Sequence, residues 1–263
     1  MLRNQRITIS AIVLGFGLSA VASVFGDEEG ATPVPATANP ATAFEKLVNA
    51  EDWRERDSAA VELGSLGERA RNDIVRGASK HENAEVRKAC YELLSKQFIN
   101  HQWAGETMAT SGLLDSDEEI RYICAFNLGT NKIYAAHRCL RALMNDKSAS
   151  DRARLAAAKS LAQLGEPDVM PRLYRALSSD HYMDRYMANI GIKALSGKDL
   201  NDFKGYEYGE GAFVSGGVEA VYDEAPECTA EKLGKRYMAI ASFCRWLREQ
   251  HPELYKHLEW GFF

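Results

Sequence analysis

Arginine residues spaced about one repeat apart are the best candidates for binding chemistry in this chain. Arg76, Arg141 and Arg175 follow three similar arginine-centred motifs at distances of 20, 20 and 21 residues. Arg138 and Arg172 precede two of them by three residues, a spacing that places side chains on one side of a helix. Guanidinium groups donate hydrogen bonds in a planar fork that suits carboxylates, phosphates and sulfates. We call these five residues the basic strip. We predict that the basic strip is a partner-binding surface. The simpler interpretation is that its members are ordinary solvated helix arginines.

Residues that could support catalysis or hold a metal are sparse. His137 and Cys139 are two residues apart, which on a helix directs them to different sides. His181 and Asp184 could share one side at a helix start, an arrangement more typical of helix capping than of acid–base catalysis. His251 and His257 are six residues apart, so these two histidines lack the i, i+4 spacing of helical zinc ligands, and Glu253 lies between them. We therefore expect no catalytic residue, no cofactor, no metal and a non-enzymatic function.

The motifs that position the basic strip recur five times. Successive motif arginines are 31, 34, 33 and 31 residues apart, a period in the range of helical-repeat proteins. The residue at position +3 is small and the residue at +7 is Leu or Ile, so both lie on the buried face of one helix. Position +8 is Gly, Ser or Ala in the first four copies, which allows a neighbouring helix to approach closely. The motif arginines are Arg56, Arg87, Arg121, Arg154 and Arg185.

A second helical segment follows each of the first four motifs, near residues 70–79, 102–114, 135–145 and 169–177. The basic strip lies on these segments, with Thr107 at the equivalent position of the second copy. Each motif thus predicts a helical hairpin that can bury its apolar face only against the next hairpin. The chain is therefore predicted to be all-α, with about five hairpins stacked into an α-solenoid. Cys90 and Cys124 occupy position +3 and are predicted to be alanine-like core residues.

The repeats resemble a known family over roughly residues 44–199. Residues 85–90 and 154–165 are similar to HEAT-like repeats of the short, phycobilisome-lyase type. The resemblance implies a right-handed α-solenoid whose second helices line the inner curve and whose repeat arginines bond neighbouring repeats. It also implies a scaffold that presents a groove to a protein partner. The alternative is an enzyme or enzyme accessory related to bilin lyases, which would handle a tetrapyrrole or another bulky ligand.

The N-terminal residues have the composition of an export signal. Arg3 and Arg6 precede an apolar stretch, and residues 20–22 read Ala-Val-Ala, a small-x-small cleavage site. We predict a signal peptide over residues 1–22 and an Ala/Thr/Pro linker over residues 23–43, and hence export to the periplasm, the envelope or the medium. An uncleaved membrane anchor is the alternative, since the apolar stretch approaches the ~20 residues that span a bilayer.

The C-terminal part differs in style from the repeats. Residues 200–228 are rich in Gly and Tyr and are predicted to form a loop, with a short hairpin over residues 212–222. Residues 229–263 are predicted to form a helical cap, with Leu233, Tyr237, Ile240, Phe243 and Leu247 on its apolar side. Cys228 and Cys244 could pair in a disulfide across a turn and the last helix.

The charge balance limits the class of partner. The chain carries 37 acidic and 32 basic residues, a formal net charge of −5, which argues against nucleic acid. A basic strip in an acidic protein instead favours a protein partner with an acidic surface. Contact with a membrane is expected only through an uncleaved N-terminal segment.

Overall fold

The computed structural model describes residues 39–203 and 230–260, and this part of the chain is all-α with no strand. Each of the five motifs lies on one helix, and these five are called the first helices: α2 (Trp53–Ser65), α4 (Ala84–Gln97), α6 (Glu118–Thr130), α8 (Asp151–Gln163) and α10 (Tyr182–Ser196). Four second helices alternate with them: α3 (Arg71–Lys80), α5 (Gln102–Thr110), α7 (His137–Asn145) and α9 (Met170–Ala176). The remaining helices lie at the two ends: α1 (Pro40–Asn49), α11 (Ala230–Gln250) and α12 (Pro252–Trp260).

These helices stack in two layers, as an α-solenoid requires. Consecutive first helices pack side by side from α2 to α10, and the second helices α3, α5 and α7 do the same. The helix α1 covers the open side of the first hairpin, where Phe44 and Leu47 are buried. At the other end α12 packs against α9. Residues 39–203 and 230–260 thus contain four complete hairpins and a fifth first helix, with an additional helix packed at each end.

Polar caps set where the first helices start. The side chain of Asp52 accepts hydrogen bonds from the backbone N–H groups of Arg54 and Glu55 at 2.8 and 2.9 Å. Asp117 does the same for Glu119 and Ile120 at 2.9 and 3.1 Å. Such caps satisfy the N–H groups that have no partner inside the helix. Helices α2, α4, α6 and α8 therefore begin where the sequence places an Asp, Asn or Ser just ahead of the motif. Helix α10 begins after His181, whose side chain makes no capping hydrogen bond.

The predicted buried face is confirmed in every repeat. The residues at position +7 are fully buried, with 0% exposure: Leu63, Leu94, Leu128, Leu161 and Ile192. Those at position +3 are at most 6% exposed: Ala59, Cys90, Cys124, Ala157 and Ala188. Burial raises the pKa of the Cys90 thiol to about 12, so it stays protonated and inert. Cys90 and Cys124 are therefore core residues, as predicted.

The small residue at position +8 allows the closest helix contact in the described part of the solenoid. A Cβ atom added to Gly129 on α6 would lie 2.3 Å from the Cα of Ser160 on α8. The Ser160 hydroxyl donates to the carbonyl oxygen of Ala125 at 2.6 Å across the same contact. Because a backbone atom blocks the Cβ, α6 and α8 would have to move apart to accept any side chain.

We expect Gly129→Ala to lower the free energy of unfolding by about 1–3 kcal/mol, the usual range for overpacking. Gly64→Ala is the matched control at the same repeat position. Its Cβ would meet only the end of the exposed Gln97 side chain, which can rotate away. The control should be neutral or stabilising by up to about 1 kcal/mol, because Ala is the better helix former. Urea unfolding of both variants measures the difference, and equal losses would contradict the close approach.

A lysine is enclosed in the same interface. Lys159 on α8 has 0% exposure, and its Nζ donates to the carbonyl oxygen of Phe126 at 2.9 Å and to the hydroxyl of Thr130 at 2.6 Å. The Nζ also lies 3.6 Å from the centroid of the Phe126 ring. Burial lowers the pKa of Lys159 well below its usual value. The native state therefore holds the Lys159 proton more weakly than the unfolded chain does.

This difference in proton binding predicts a pH-dependent stability. Because the unfolded chain binds the Lys159 proton more tightly, stability rises with pH from the lowered native pKa up to the ordinary value of about 10.4, by at most about 1.4 kcal/mol per pH unit. Lys159→Met removes this term, so the stability of wild type relative to the variant should increase with pH. Urea unfolding of both proteins between pH 6 and 9 measures it. A difference that does not change with pH would show that Lys159 keeps an ordinary pKa.

The motif arginines cap the loops between hairpins. Arg87 Nη1 donates to the carbonyl oxygens of His81 and Glu82 at 2.8 and 2.9 Å. Arg185 Nη1 donates to those of Ser179 and Asp180 at 2.7 Å each. These carbonyls follow the preceding second helix, which has no N–H groups left to bind them. Arg87, Arg121 and Arg185 therefore tie their hairpins to the ones before them, as the family resemblance implied.

The C-terminal cap is built on aromatic packing. Phe203 and Trp246 flank Phe243, with ring centroids 5.7 and 6.0 Å from that of Phe243, and Phe243 is fully buried. The prediction that Tyr237 lies on the apolar side was wrong, since Tyr237 is 55% exposed. The neighbouring Arg236 is buried instead, at 7% exposure, and extends toward the carbonyl oxygen of Ser179.

Local caps set the two ends of the repeat region. Helix α1 begins at Pro40, inside the segment predicted as linker, because the side chain of Asn39 caps it by accepting from the N–H of Ala41 at 3.1 Å. The last repeat helix ends at Gly197, whose φ of 73° suits glycine. The predicted signal peptide, the hairpin over residues 212–222 and Cys228 lie outside the described residues.

Candidate partner-binding surface

The basic strip lies on the second helices, as predicted, but its side chains do not form one continuous row. Arg76, Arg138 and Arg175 are exposed, whereas Arg141 and Arg172 are half-buried. A 3-10 turn leads into α3, α7 and α9, while the chain reaches α5 through residues 98–101 without one. Residues at the same distance from their motif arginines therefore point in different directions around the second helices.

The second hairpin interrupts the positive charge. Thr107, equivalent to the strip arginines, is buried at 9% exposure, and its hydroxyl donates to the carbonyl oxygen of Trp103 at 2.7 Å. The exposed charged residue on α5 is Glu106, which accepts from the Gln102 side chain. The strip is thus divided into Arg76 on one side of α5 and the remaining four arginines on the other.

Arg76 is engaged with the N-terminal part of the fold. Its guanidinium forms an ion pair with Asp73 on the same helix. It also lies over the ring of Phe44 on α1, with 5.8 Å between the guanidinium carbon and the ring centroid. Arg76 nevertheless keeps 63% side-chain exposure. Its charge is balanced locally, so it contributes little to the surface field.

Arg141 links two hairpins and has little charge to offer a partner. Its Nη2 donates to Glu166 Oε2 at 2.8 Å and to Asp168 Oδ1 at 3.1 Å, both from the turn that leads into α9. His137 Nε2 lies 3.0 Å from Glu166 Oε1 in the same group. The two carboxylates outweigh the single guanidinium. Arg141 therefore serves the packing of α7 against the next repeat.

Three arginines lie where α8 begins next to α9. Arg154 Nη1 and Arg172 Nη2 lie 3.1 and 3.4 Å from the same oxygen of Asp151, and Arg175 follows Arg172 by one helical turn. Burial, and then the neighbouring charge of Arg154, lower the pKa of Arg172; Asp151 opposes this and Arg175 adds to it. Arg154 was not included in the basic strip, because the motif arginines were all assigned to the links between repeats.

The remaining candidates have structural roles. Ser179 donates to the Asp184 carboxylate at 2.8 Å, while His181 contributes only its backbone N–H, which donates to Ser179 Oγ at 3.2 Å.

Within residues 39–203 and 230–260 no group of three His, Cys, Asp or Glu side chains is arranged to hold a metal ion. No helix in the same two segments has the length and apolar character needed to cross a bilayer.

Residues 107–193 match the family model of HEAT repeats. The match extends from within α5 to within α10, and the hairpins before it have the same two-layer architecture. The match, together with the all-helical two-layer architecture of the described residues, supports a HEAT-like repeat protein with an α-solenoid fold. Repeats of this kind generally mediate protein–protein interaction. No curated protein matches the chain.

Proposed function

We propose that this HEAT-like repeat protein is a non-enzymatic scaffold that binds a protein partner through the second helices of its third and fourth hairpins. The observation that carries the proposal is the excess positive charge on α7 and α9. Arg138 and Arg175 are exposed there, and neither has a carboxylate partner among the described residues. Arg172 shares the exposed Asp151 with Arg154.

The expected partner presents an acidic surface. The chain as a whole has a formal net charge of −5, so it repels most acidic proteins at a distance. A local positive surface orients such a partner and selects the side on which it docks. The arginine side chains also suit this role, because they offer bidentate hydrogen bonds to carboxylates. Affinity that depends on these contacts is expected to fall as salt concentration rises.

A pair of double variants tests the surface. Arg138→Glu with Arg175→Glu reverses two exposed charges on the second helices, and Arg54→Glu with Lys96→Glu reverses two exposed charges on first helices. Photo-crosslinking groups placed at Asn145 and, separately, at Asp57 report which side contacts a partner in intact cells. We expect one acidic protein to be crosslinked from position 145 and not from position 57. The product should disappear in the second-helix variant and persist in the first-helix variant, with unchanged melting temperatures for both.

The outcomes separate the alternatives. Crosslinking from position 57 alone, or a product unaffected by Arg138→Glu with Arg175→Glu, would contradict this surface. A visible absorption band in the purified protein would instead favour a bulky ligand, as in the alternative related to bilin lyases. The two exposed substitutions should alter stability by about 0.5 kcal/mol or less each, so loss of the product would not reflect unfolding.

We further propose that the scaffold is exported. The support is the sequence of residues 1–22, with two arginines ahead of an apolar stretch and a small-x-small site. Cleavage would remove Arg3 and Arg6 but none of the 37 acidic residues, so the mature protein would be more acidic. N-terminal sequencing should place the mature N-terminus between Val21 and Asp27. Recovery of intact Met1 in the membrane fraction would show an anchor instead.

A further inference from the structure

Arg154 departs from the role that three of the other motif arginines share. Arg87, Arg121 and Arg185 each donate from Nη1 to two loop carbonyl oxygens, at 2.6–3.3 Å. Arg154 has a single backbone contact, from Nε to the carbonyl oxygen of Met144 at 3.4 Å. Both of its terminal nitrogens are therefore available for other groups.

The loop before α8 has local hydrogen bonds of its own. Asp146 Oδ1 accepts from the backbone N–H of Ser148 at 2.8 Å and from its hydroxyl at 2.7 Å. The N–H of Ala149 also donates to the Asp146 carbonyl oxygen at 3.3 Å. The Arg154 guanidinium donates instead to Asp151 on its own helix, at 3.1 Å.

Two guanidinium groups contact one carboxylate, and a third, that of Arg175, acts electrostatically on the second of them, Arg172. Arg154 and Arg172 contact the same Oδ1 atom of Asp151, at 3.1 and 3.4 Å. Asp151 is 92% exposed, so water competes with this pair of contacts. Arg175 uses Nε for the carbonyl oxygen of Pro171 at 3.3 Å, which leaves its two terminal nitrogens. The group has three positive charges against one negative charge and far more N–H donors than acceptors.

We propose that Arg154, Arg172 and Arg175 form a binding site for a dianionic oxyanion, namely a phosphate or sulfate group. A dianion balances the two uncompensated positive charges, which a single carboxylate does not. Its tetrahedral oxygens can accept from several guanidinium groups at once. The inference deepens the proposed function and rests on it, since Arg172 and Arg175 belong to the same surface. The ligand is either a free ion or an ester carried by the partner.

Binding to the purified full-length protein tests the site without any partner. Isothermal titration at pH 7.5 would compare inorganic phosphate, sulfate, phosphoserine and acetate as probes. We expect phosphate or phosphoserine to bind, and acetate to bind at least about tenfold more weakly. Tighter binding of phosphoserine would identify an ester as the ligand, and binding of inorganic phosphate alone would identify a free ion. Absence of binding by all three dianions, or equal binding of acetate, would overturn the proposal.

Matched variants locate the site. Arg172→Gln with Arg175→Gln should weaken phosphate binding about tenfold or more, whereas Arg138→Gln, on the same surface but outside the cluster, should leave it unchanged. Asp151→Asn removes the competing carboxylate and should tighten binding, while Asp168→Asn, next to Arg141, should not. Equal effects of the two arginine variants would overturn the assignment. If phosphate binds but no partner is crosslinked, the site stands and the scaffold function fails.

Discussion

Replacing Arg87 by methionine is expected to destabilise the protein by about 3–5 kcal/mol, the cost of removing one partner from a buried ion pair. Arg87 Nε and Nη2 donate to the two oxygens of Asp115 at 2.8 Å each, and the two side chains are only 11% and 6% exposed. The same guanidinium caps the loop after α3 through His81 and Glu82. Methionine would leave a buried carboxylate and two carbonyl oxygens without their donor.

Arg56→Met is the matched control at the same repeat position. Arg56 has one backbone contact at 3.4 Å, to Ala50, and an ion pair at 3.6 Å with Glu85, which is 60% exposed. Contacts of this length and exposure are worth at most about 1 kcal/mol. Urea unfolding of both variants at pH 7 measures the comparison. Similar losses at the two positions would show that the motif arginines act alike, whatever their burial.

The Arg87 effect should also depend on pH. Burial alone would raise the pKa of Asp115, but the hydrogen bonds from Arg87 and from the N–H of Asp117 hold it below its usual value. In wild type this stabilisation is present above the unfolded pKa of about 3.9 and is lost as pH falls through the lower native pKa. In Arg87→Met the unpaired carboxyl should have a raised pKa and be relieved by protonation. The difference in free energy of unfolding between wild type and Arg87→Met should therefore become smaller at acid pH.

Leu161→Ala is expected to cost about 2–5 kcal/mol, the range for a large-to-small change at a fully buried site. Leu161 lies at position +7 of the fourth motif with 0% exposure, on a helix that packs against α6, α7, α9 and α10. A cavity there weakens contacts with both neighbouring hairpins, and in a solenoid each hairpin is stabilised only by its neighbours. Thermal and urea unfolding both report the loss.

Leu164→Ala, three residues further along the chain, is the matched comparison. Leu164 is half-buried at the end of α8, so its truncation removes less apolar contact and the site can relax more easily. We expect a loss of less than about half that of Leu161→Ala. Equal losses, or no loss at either position, would contradict the assignment of position +7 to the buried layer.

The amino-acid sequence by itself determined the helices, their order and their buried faces. These follow from short-range patterns, because residues at +3 and +7 share one side of a helix whatever surrounds it, and Leu63 and Leu161 are buried for that reason. The Asp and Ser residues that cap the first helices act over two or three residues. The match to HEAT repeats rests on the same repeated pattern.

The tertiary structure alone decided which arginines are available. Side-chain direction depends on the turn between helices. Thr107 is therefore buried and Arg76 exposed, although each lies 20 residues after its motif arginine. Long-range contacts matter equally: Arg141 is neutralised by Glu166 and Asp168, which are 25 and 27 residues away. Arg154 on α8 and Arg172 on α9 share the carboxylate of Asp151. Charge pairing across repeats depends on distances and angles in space, and the sequence period carries neither.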